Sequence, residues 1–140
     1  MTSTNTIELD LPATHKYLNV LGDCIAGMLA RADGLDDFQT VSYDVQLGVH
    51  EVCTNIVDHA YRDQPDGRIK VSMTLTDDTS QFIVNVQDTG HSFDPALVPL
   101  PELETEQVRG YGLFLIYNLL DSVNYCPSPG ENTWQLIKNL

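Results

Sequence analysis

The chain has 140 residues, 42% of them hydrophobic, and its 20 acidic and 7 basic residues give a formal net charge of −13. A chain of this length can bury one hydrophobic core, so we predict a single domain over residues 1–140. The excess of acidic residues argues against nucleic acid as a direct partner. It is explained either by solubility or by a basic protein partner, since complementary charge steers association.

Neither a membrane span nor a secretory leader is predicted. The longest apolar stretch, around residues 113–120, is interrupted by two polar residues and is too short to cross a bilayer. The first residues lack the basic and apolar regions of a secretory signal. Cys24, Cys53 and Cys126 are odd in number and lack metal-binding spacing, which predicts free thiols in a reducing cytoplasm.

The N-terminal half of the chain predicts one strand and two helices. Residues 7–11 alternate between apolar and polar before a proline, as in an edge strand. Apolar residues, Tyr17 among them, recur at helical spacing through residues 14–32, and Gly34 is predicted to end this helix. A second helix is predicted from a cap at Thr40 to about residue 62. Its predicted buried stripe consists of Val45, Val49, Val52, Ile56 and Ala60.

The C-terminal half predicts two hairpins, with a proline-containing loop and a third helix between them. The predicted ranges are 69–76 and 82–87 for the first hairpin, 92–106 for the loop, 109–120 for the helix, and 122–125 and 133–138 for the last hairpin. The order βααββαββ predicts an α+β fold. We expect a two-layer α/β sandwich, with the helices on one face of a mixed, mostly antiparallel sheet.

One face of the second helix carries the first candidate site residues. Glu51 and Asn55 are four residues apart and therefore share a helix face. An amide oxygen can bind Mg²⁺, and a carboxylate one turn away can accept a proton from an attacking hydroxyl. Asp58 or His59, and then Arg62, continue this face. The alternatives are a solvated polar stripe, a structural histidine at the helix end, and an arginine that complements the helix dipole.

Two later segments carry the other candidates. Asp88 follows a predicted strand and can accept a hydrogen bond from the amine of adenine, with Gly90 permitting close approach; alternatively it is a turn residue. Gly110 and Gly112 flank Tyr111 before an apolar helix, where free N–H groups suit phosphate; the alternative is a flexible loop end. The sequence contains neither a Walker loop nor a dinucleotide-binding fingerprint.

Taken together, EVCTNIVDHAY, DTGHSFDP and RGYGLFLI resemble the N, G1 and G2 boxes of the GHKL (histidine-kinase-like, Bergerat-fold) ATPases. The branch that the segments resemble is the bacterial anti-sigma-factor serine/threonine-protein kinases, and the resemblance covers about residues 7–138. It implies that Asn55 chelates Mg²⁺, that Glu51 is the catalytic base and that Asp88 reads adenine. The other nucleotide-binding positions that it implies are Asp58, His59, Arg62, Gly90, Phe93, Arg109, Gly110, Tyr111, Gly112 and Leu113.

The resemblance also implies a function. Members of this branch use ATP and Mg²⁺ to phosphorylate an antagonist protein, bind a sigma factor and form homodimers. Two departures from the wider superfamily are Ser92, where a second glycine is common, and a short segment at 96–109. One alternative is a non-catalytic ATP-binding partner-switching module, which the intact Glu51 argues against. The other is a fragment of a sensor histidine kinase, although His15 lacks the usual following acid.

Overall fold

The computed structural model of the protein describes residues 5–92 and 116–140. Within these ranges the chain forms five strands and two long helices. The strands are β1 (Thr6–Pro12), β2 (Arg68–Leu75), β3 (Gln81–Asp88), β4 (Ser122–Cys126) and β5 (Asn132–Asn139). The helices are α1 (Leu18–Leu29), which follows a 3₁₀ turn at His15–Tyr17, and α2 (Phe38–Asn55), which continues into a π-helical turn at Ile56–Ala60.

The strands form one sheet in the order β1-β2-β3-β5-β4. Both predicted hairpins are confirmed, β2 with β3 and β4 with β5. Every neighbouring pair of strands is antiparallel, so the described sheet has none of the parallel pairs that the predicted mixed sheet would contain. The α+β sandwich itself is confirmed. The central pairing of β3 with β5 sets Asp88 opposite Asn132, which decides the chemistry at that end of the sheet.

One face of the sheet packs against the two helices. In β3 the residues Phe82, Val84 and Val86 are buried, alternating with half-buried neighbours. This is the period of two expected for a half-covered strand. The predicted stripe of α2 is buried in full, as are five apolar residues of α1. These residues are Leu18, Leu21, Ile25, Met28 and Leu29 from α1, and Val45, Val49, Val52, Ile56 and Ala60 from α2 and its π-helical turn.

The first helix differs from its prediction at both ends. Tyr17 belongs to the preceding 3₁₀ turn and remains 38% exposed, so the helix predicted from residue 14 begins only at Leu18. The helix ends at Leu29, well before Gly34, because the amides of Arg31 and Ala32 bond only three residues back. Arg31 N donates to the Met28 carbonyl at 3.0 Å, an i→i−3 bond of the kind that tightens a last helical turn.

The second helix begins earlier and ends earlier than predicted. Thr40 lies inside the helix rather than at its cap. The chain enters α2 through Asp37, whose φ of 58° is left-handed, a conformation that aspartate tolerates better than most residues. At the other end the α-helical pattern stops at Asn55, and Tyr61 N donates to the Ile56 carbonyl at 3.0 Å, a bond that spans five residues.

Other predictions are settled or fall outside the described ranges. Cys24, Cys53 and Cys126 are free thiols, as expected. The loop predicted at 92–106 and the start of the third helix lie almost wholly outside the described residues. The end of that helix is seen, since residues 116–119 are helical. Among the described residues, no helix is both long and apolar enough to span a membrane.

Candidate functional site

The end of α2 presents the first pair of predicted site residues. Glu51 and Asn55 are both half-buried and lie one turn apart. The side-chain nitrogen of Asn55 is buried and has no hydrogen-bond partner among the residues that the structure describes. A buried amide nitrogen that lacks an acceptor is uncommon in folded proteins and calls for an explanation. A ligand oxygen held beside Asn55 would provide that acceptor.

The π-helical turn separates this pair from the residues predicted to continue its face. Such a turn inserts one residue, so the residues after it are rotated by about 100° relative to an uninterrupted α-helix. Asp58 accepts a hydrogen bond from His15 Nε2 at 2.8 Å, which joins the π-helical turn to the 3₁₀ turn before α1. His59 is half-buried and Arg62 is exposed. The continuation of the polar face by these three residues stays a prediction.

Asp88, the second predicted site residue, ends β3 and is only 3% exposed. Its Oδ1 accepts two hydrogen bonds, from Asn132 Nδ2 and from the Gly90 backbone N–H, each at 2.9 Å. Burial raises the pKa of Asp88, and these two donors oppose that rise because they favour the ionised carboxylate. Within the part of the chain that the structure describes, Oδ2 accepts no hydrogen bond. A buried carboxylate with one oxygen free can accept a ligand amine.

Close backbone contact joins the Asp88 turn to the end of α2. His91 N donates to the Ala60 carbonyl at 2.7 Å. Gly90 makes this possible, since a Cβ there would lie 2.2 Å from the Ala60 oxygen. Tyr61 adds a second link, because its hydroxyl accepts from Thr89 N at 2.8 Å and donates to the Arg68 carbonyl at 2.6 Å. The structure thus brings the Asp88 segment against the helix end that carries Asn55.

The third predicted segment lies outside the described residues. The structure does not describe residues 93–115, which include the predicted site residues Phe93, Arg109, Gly110, Tyr111, Gly112 and Leu113. The chain that follows it packs against α2, where a Cβ on Gly48 would lie 2.9 Å from Leu120 Cδ1. Lys138 Nζ also donates to the Leu119 carbonyl at 2.7 Å. The helical residues 116–119 are therefore held next to the helix that carries Glu51 and Asn55.

Two residues of this region were missed by sequence reasoning. Asn132 is fully buried and bonds Asp88, but nothing local marks an asparagine at the start of the last strand as special. Its role follows only from the pairing of β3 with β5. Tyr61 was noted only as part of a motif. The signal that could have found it is an aromatic residue directly after a polar helix end, with a glycine turn at Gly67 to cover its ring.

Comparisons with known proteins agree with this fold. Residues 11–138 match the histidine kinase-like ATPase domain, and the chain belongs to that family. Within it, the chain is 30% identical over 136 residues to the serine-protein kinase RsbW of Bacillus velezensis, covering 92% of this chain and 82% of that relative. It is 34% identical over 127 residues to the RsbW kinase of Halalkalibacterium halodurans, covering 84% and 74%.

A solved structure supports the same architecture. The RsbU and RsbW domains of a Mycobacterium tuberculosis protein superpose with a TM-score of 0.68 at 21% identity. The match covers 98% of this chain and 33% of that one, so this chain spans about a third of its length. The relatives confirm the family predicted from the three motifs and the class of enzyme, a protein serine/threonine kinase that uses ATP.

Proposed function

We propose that this protein is an ATP- and Mg²⁺-dependent serine kinase that acts as an anti-sigma factor, binding a sigma factor and phosphorylating a small antagonist protein. The observation that carries the proposal is the contact between the Asp88 turn and the end of α2. It supports the proposal because it holds the turn that follows Asp88 against the end of the helix that carries Glu51 and Asn55, through Ala60 and Tyr61. Membership of a kinase family supports the same conclusion.

The described residues suit the nucleotide and the metal in their donor chemistry. Asp88 offers a free carboxylate oxygen to the adenine amine, and the side-chain oxygen of Asn55 is a hard ligand of the type that Mg²⁺ takes. When bound, ATP supplies the phosphoryl group and Mg²⁺ neutralises its charge. We further propose phosphate or base contacts for His59 and Arg62 near the helix end, and for Gly110 and Gly112 with their neighbours. Asp58 is proposed to support the nucleotide site through its hydrogen bond to His15.

Glu51 is the proposed general base. It lies one helical turn before Asn55 on α2, so a substrate hydroxyl next to the metal ligand is within reach of its carboxylate. Glu51 takes the proton of the serine hydroxyl as that oxygen attacks the γ-phosphorus of ATP, and ADP leaves with the oxygen that bridged the β- and γ-phosphates. Positioning of this kind typically contributes about 10²- to 10⁴-fold to the rate. No other acidic side chain of α2 lies as close in sequence to Asn55.

The partners are proposed from charge and family. A net charge of −13 favours basic protein surfaces and speeds encounter with them through electrostatic steering. Sigma factors carry basic polymerase- and DNA-facing regions, which fit such a partner. The named relatives are serine-protein kinases, and an antagonist protein is the corresponding substrate here. A homodimer acting in the cytoplasm completes the proposal, and the three free thiols suit a reducing compartment.

The test is phosphoryl transfer by the full chain to a candidate antagonist. The protein is incubated with γ-labelled ATP, Mg²⁺ and the antagonist, and label on serine is measured in the native chain, in Glu51→Gln and in Glu8→Gln. Transfer should fall about 10²- to 10⁴-fold in Glu51→Gln, with ATP affinity little changed. Glu8→Gln is the matched control, since Glu8 is exposed on β1, and it should keep native activity.

The outcomes separate the proposed function from its rivals. Nucleotide binding without transfer by the native chain would favour the non-catalytic switching module. Loss of both binding and transfer in Glu51→Gln would remove Glu51 from the role of base. Label found on a histidine of the chain itself would favour the sensor-kinase alternative. His15 is a weak candidate for that, because its Nε2 is hydrogen-bonded to Asp58. ATP affinity independent of Mg²⁺ would overturn the role of Asn55.

A further inference from the structure

Asn132 occupies an unusual place beside Asp88. Its side chain is fully buried, and its Nδ2 donates to Asp88 Oδ1 at 2.9 Å and to the Gly90 carbonyl at 3.1 Å. An amide side chain has nearly the same shape in its two orientations, so only its partners decide which end faces which neighbour. The orientation matters here because a donor stabilises the Asp88 carboxylate, whereas an oxygen in its place would repel it.

The other end of the Asn132 amide is held by two donors. Ser92 Oγ lies 2.8 Å from Asn132 Oδ1, and the Ser128 backbone N–H approaches the same oxygen at 3.4 Å. A backbone N–H can only donate, so a flipped amide would set two donors against each other. Ser92 and Ser128 therefore keep the oxygen on their side and direct Nδ2 towards Asp88. Ser92 is the residue that replaces a glycine common in the wider superfamily.

This arrangement fixes what Asp88 can recognise. Asn132 and the Gly90 N–H both donate to Oδ1, and no described residue donates to Oδ2, so Oδ2 is the acceptor offered to a ligand. An ionised acceptor selects a base that presents an amine and rejects one that presents a carbonyl oxygen at the same position. Sites built to hydrogen-bond one such group discriminate strongly, because the wrong ligand leaves buried polar groups unpaired.

We propose that Asn132 and Ser92 are positioning residues that set the base selectivity of the nucleotide site, by holding Asp88 with Oδ2 as its acceptor. Ser92 orients the Asn132 amide, and Asn132 orients the carboxylate. The inference rests on the proposed role of Asp88 in reading the base. It gives Ser92 and Asn132 a function in recognition although neither is required to touch the nucleotide.

The experiment compares ADP with inosine diphosphate, which carries a carbonyl oxygen in place of the adenine amine. Calorimetry on the full chain measures both affinities over a range of pH for the native protein, Ser92→Ala, Asn132→Leu and Ser128→Ala. The preference for ADP should fall several-fold in Ser92→Ala and about tenfold or more in Asn132→Leu. The acid limb of ADP binding should move to higher pH in Asn132→Leu, because the carboxylate loses a donor. Ser128→Ala should behave as native, since only its backbone contacts Asn132.

The outcomes distinguish the inference from the proposed function. A native chain that binds neither nucleotide would overturn both. The inference alone would be overturned if Ser92→Ala and Asn132→Leu kept the native preference for ADP. In that case both variants would also bind ADP with the same pH profile as Ser128→Ala. An equal loss of both affinities would also overturn it, because that is the signature of a purely structural role. If Asn132→Leu fails to fold, Ser92→Ala still decides the matter, since Ser92 lies at the exposed surface.

Discussion

Replacing Gly90 by alanine tests the contact that joins the two halves of the proposed site. A Cβ at Gly90 would lie 2.2 Å from the Ala60 carbonyl oxygen and 2.5 Å from its carbon. Ordinary contact begins at 3.4 Å, so the turn or the end of α2 has to move by about 1.2 Å. The obstacle is backbone rather than a flexible side chain, so neither partner can yield by a rotamer change.

A movement of this size affects both stability and binding. It would stretch the 2.7 Å bond from His91 N to the Ala60 carbonyl beyond hydrogen-bonding distance, a loss of about 1 kcal/mol. Overpacking adds about 1–3 kcal/mol, and for a domain of this size each kcal/mol lowers the melting temperature by about 4 °C. Because Gly90 N also bonds Asp88 Oδ1, ADP affinity should fall about ten- to a hundredfold.

Calorimetry with ADP and thermal unfolding measure the two effects. Gly27→Ala is the matched control, since nothing lies within 4 Å of a Cβ at that position of α1. Alanine there should stabilise the protein by about 0.5–1 kcal/mol and leave ADP affinity unchanged. The reasoning would be refuted if Gly90→Ala melted and bound ADP as the native chain does. A loss of stability without any loss of affinity would show that the contact supports the fold and not the site.

Two further predictions concern the buried acid and the buried thiol. The raised pKa of Asp88 means that its protonated form stabilises the fold, an effect present below the unfolded pKa and lost as pH rises through the folded value. Asp88→Asn should therefore melt at or above the native temperature at neutral pH, while ADP binding is lost. A variant that was less stable than the native protein by the same amount from about pH 4 to 8 would contradict this. Burial raises the pKa of Cys53 to about 12, so a thiol reagent should label exposed Cys126 in the native protein and reach Cys53 only on unfolding, as peptide mapping would report. Native-state labelling of Cys53 at the rate of Cys126 would show that the α2 core opens readily.

Some features of this protein could be predicted from the sequence because they depend on neighbours along the chain. The buried stripe of α2 from Val45 to Ala60 follows from helical spacing, and the alternation in β2 and β3 follows from the pleat. The motif residues Glu51, Asn55 and Asp88 were found in the same way, as types of side chain at fixed spacing. Their roles stay predictions, as does the single domain over residues 1–140.

Other features depend on residues distant in sequence, and only the tertiary structure decided them. Asn132 bonds Asp88 because β5 inserts beside β3 in one register, 44 residues away along the chain. The π-helical turn after Asn55 is seen only in the structure, and Ala60 meets Gly90 only because the end of this helix packs against the turn that follows β3. Local pattern determines which face of an element is apolar, whereas the register and the packing between elements determine which polar groups meet.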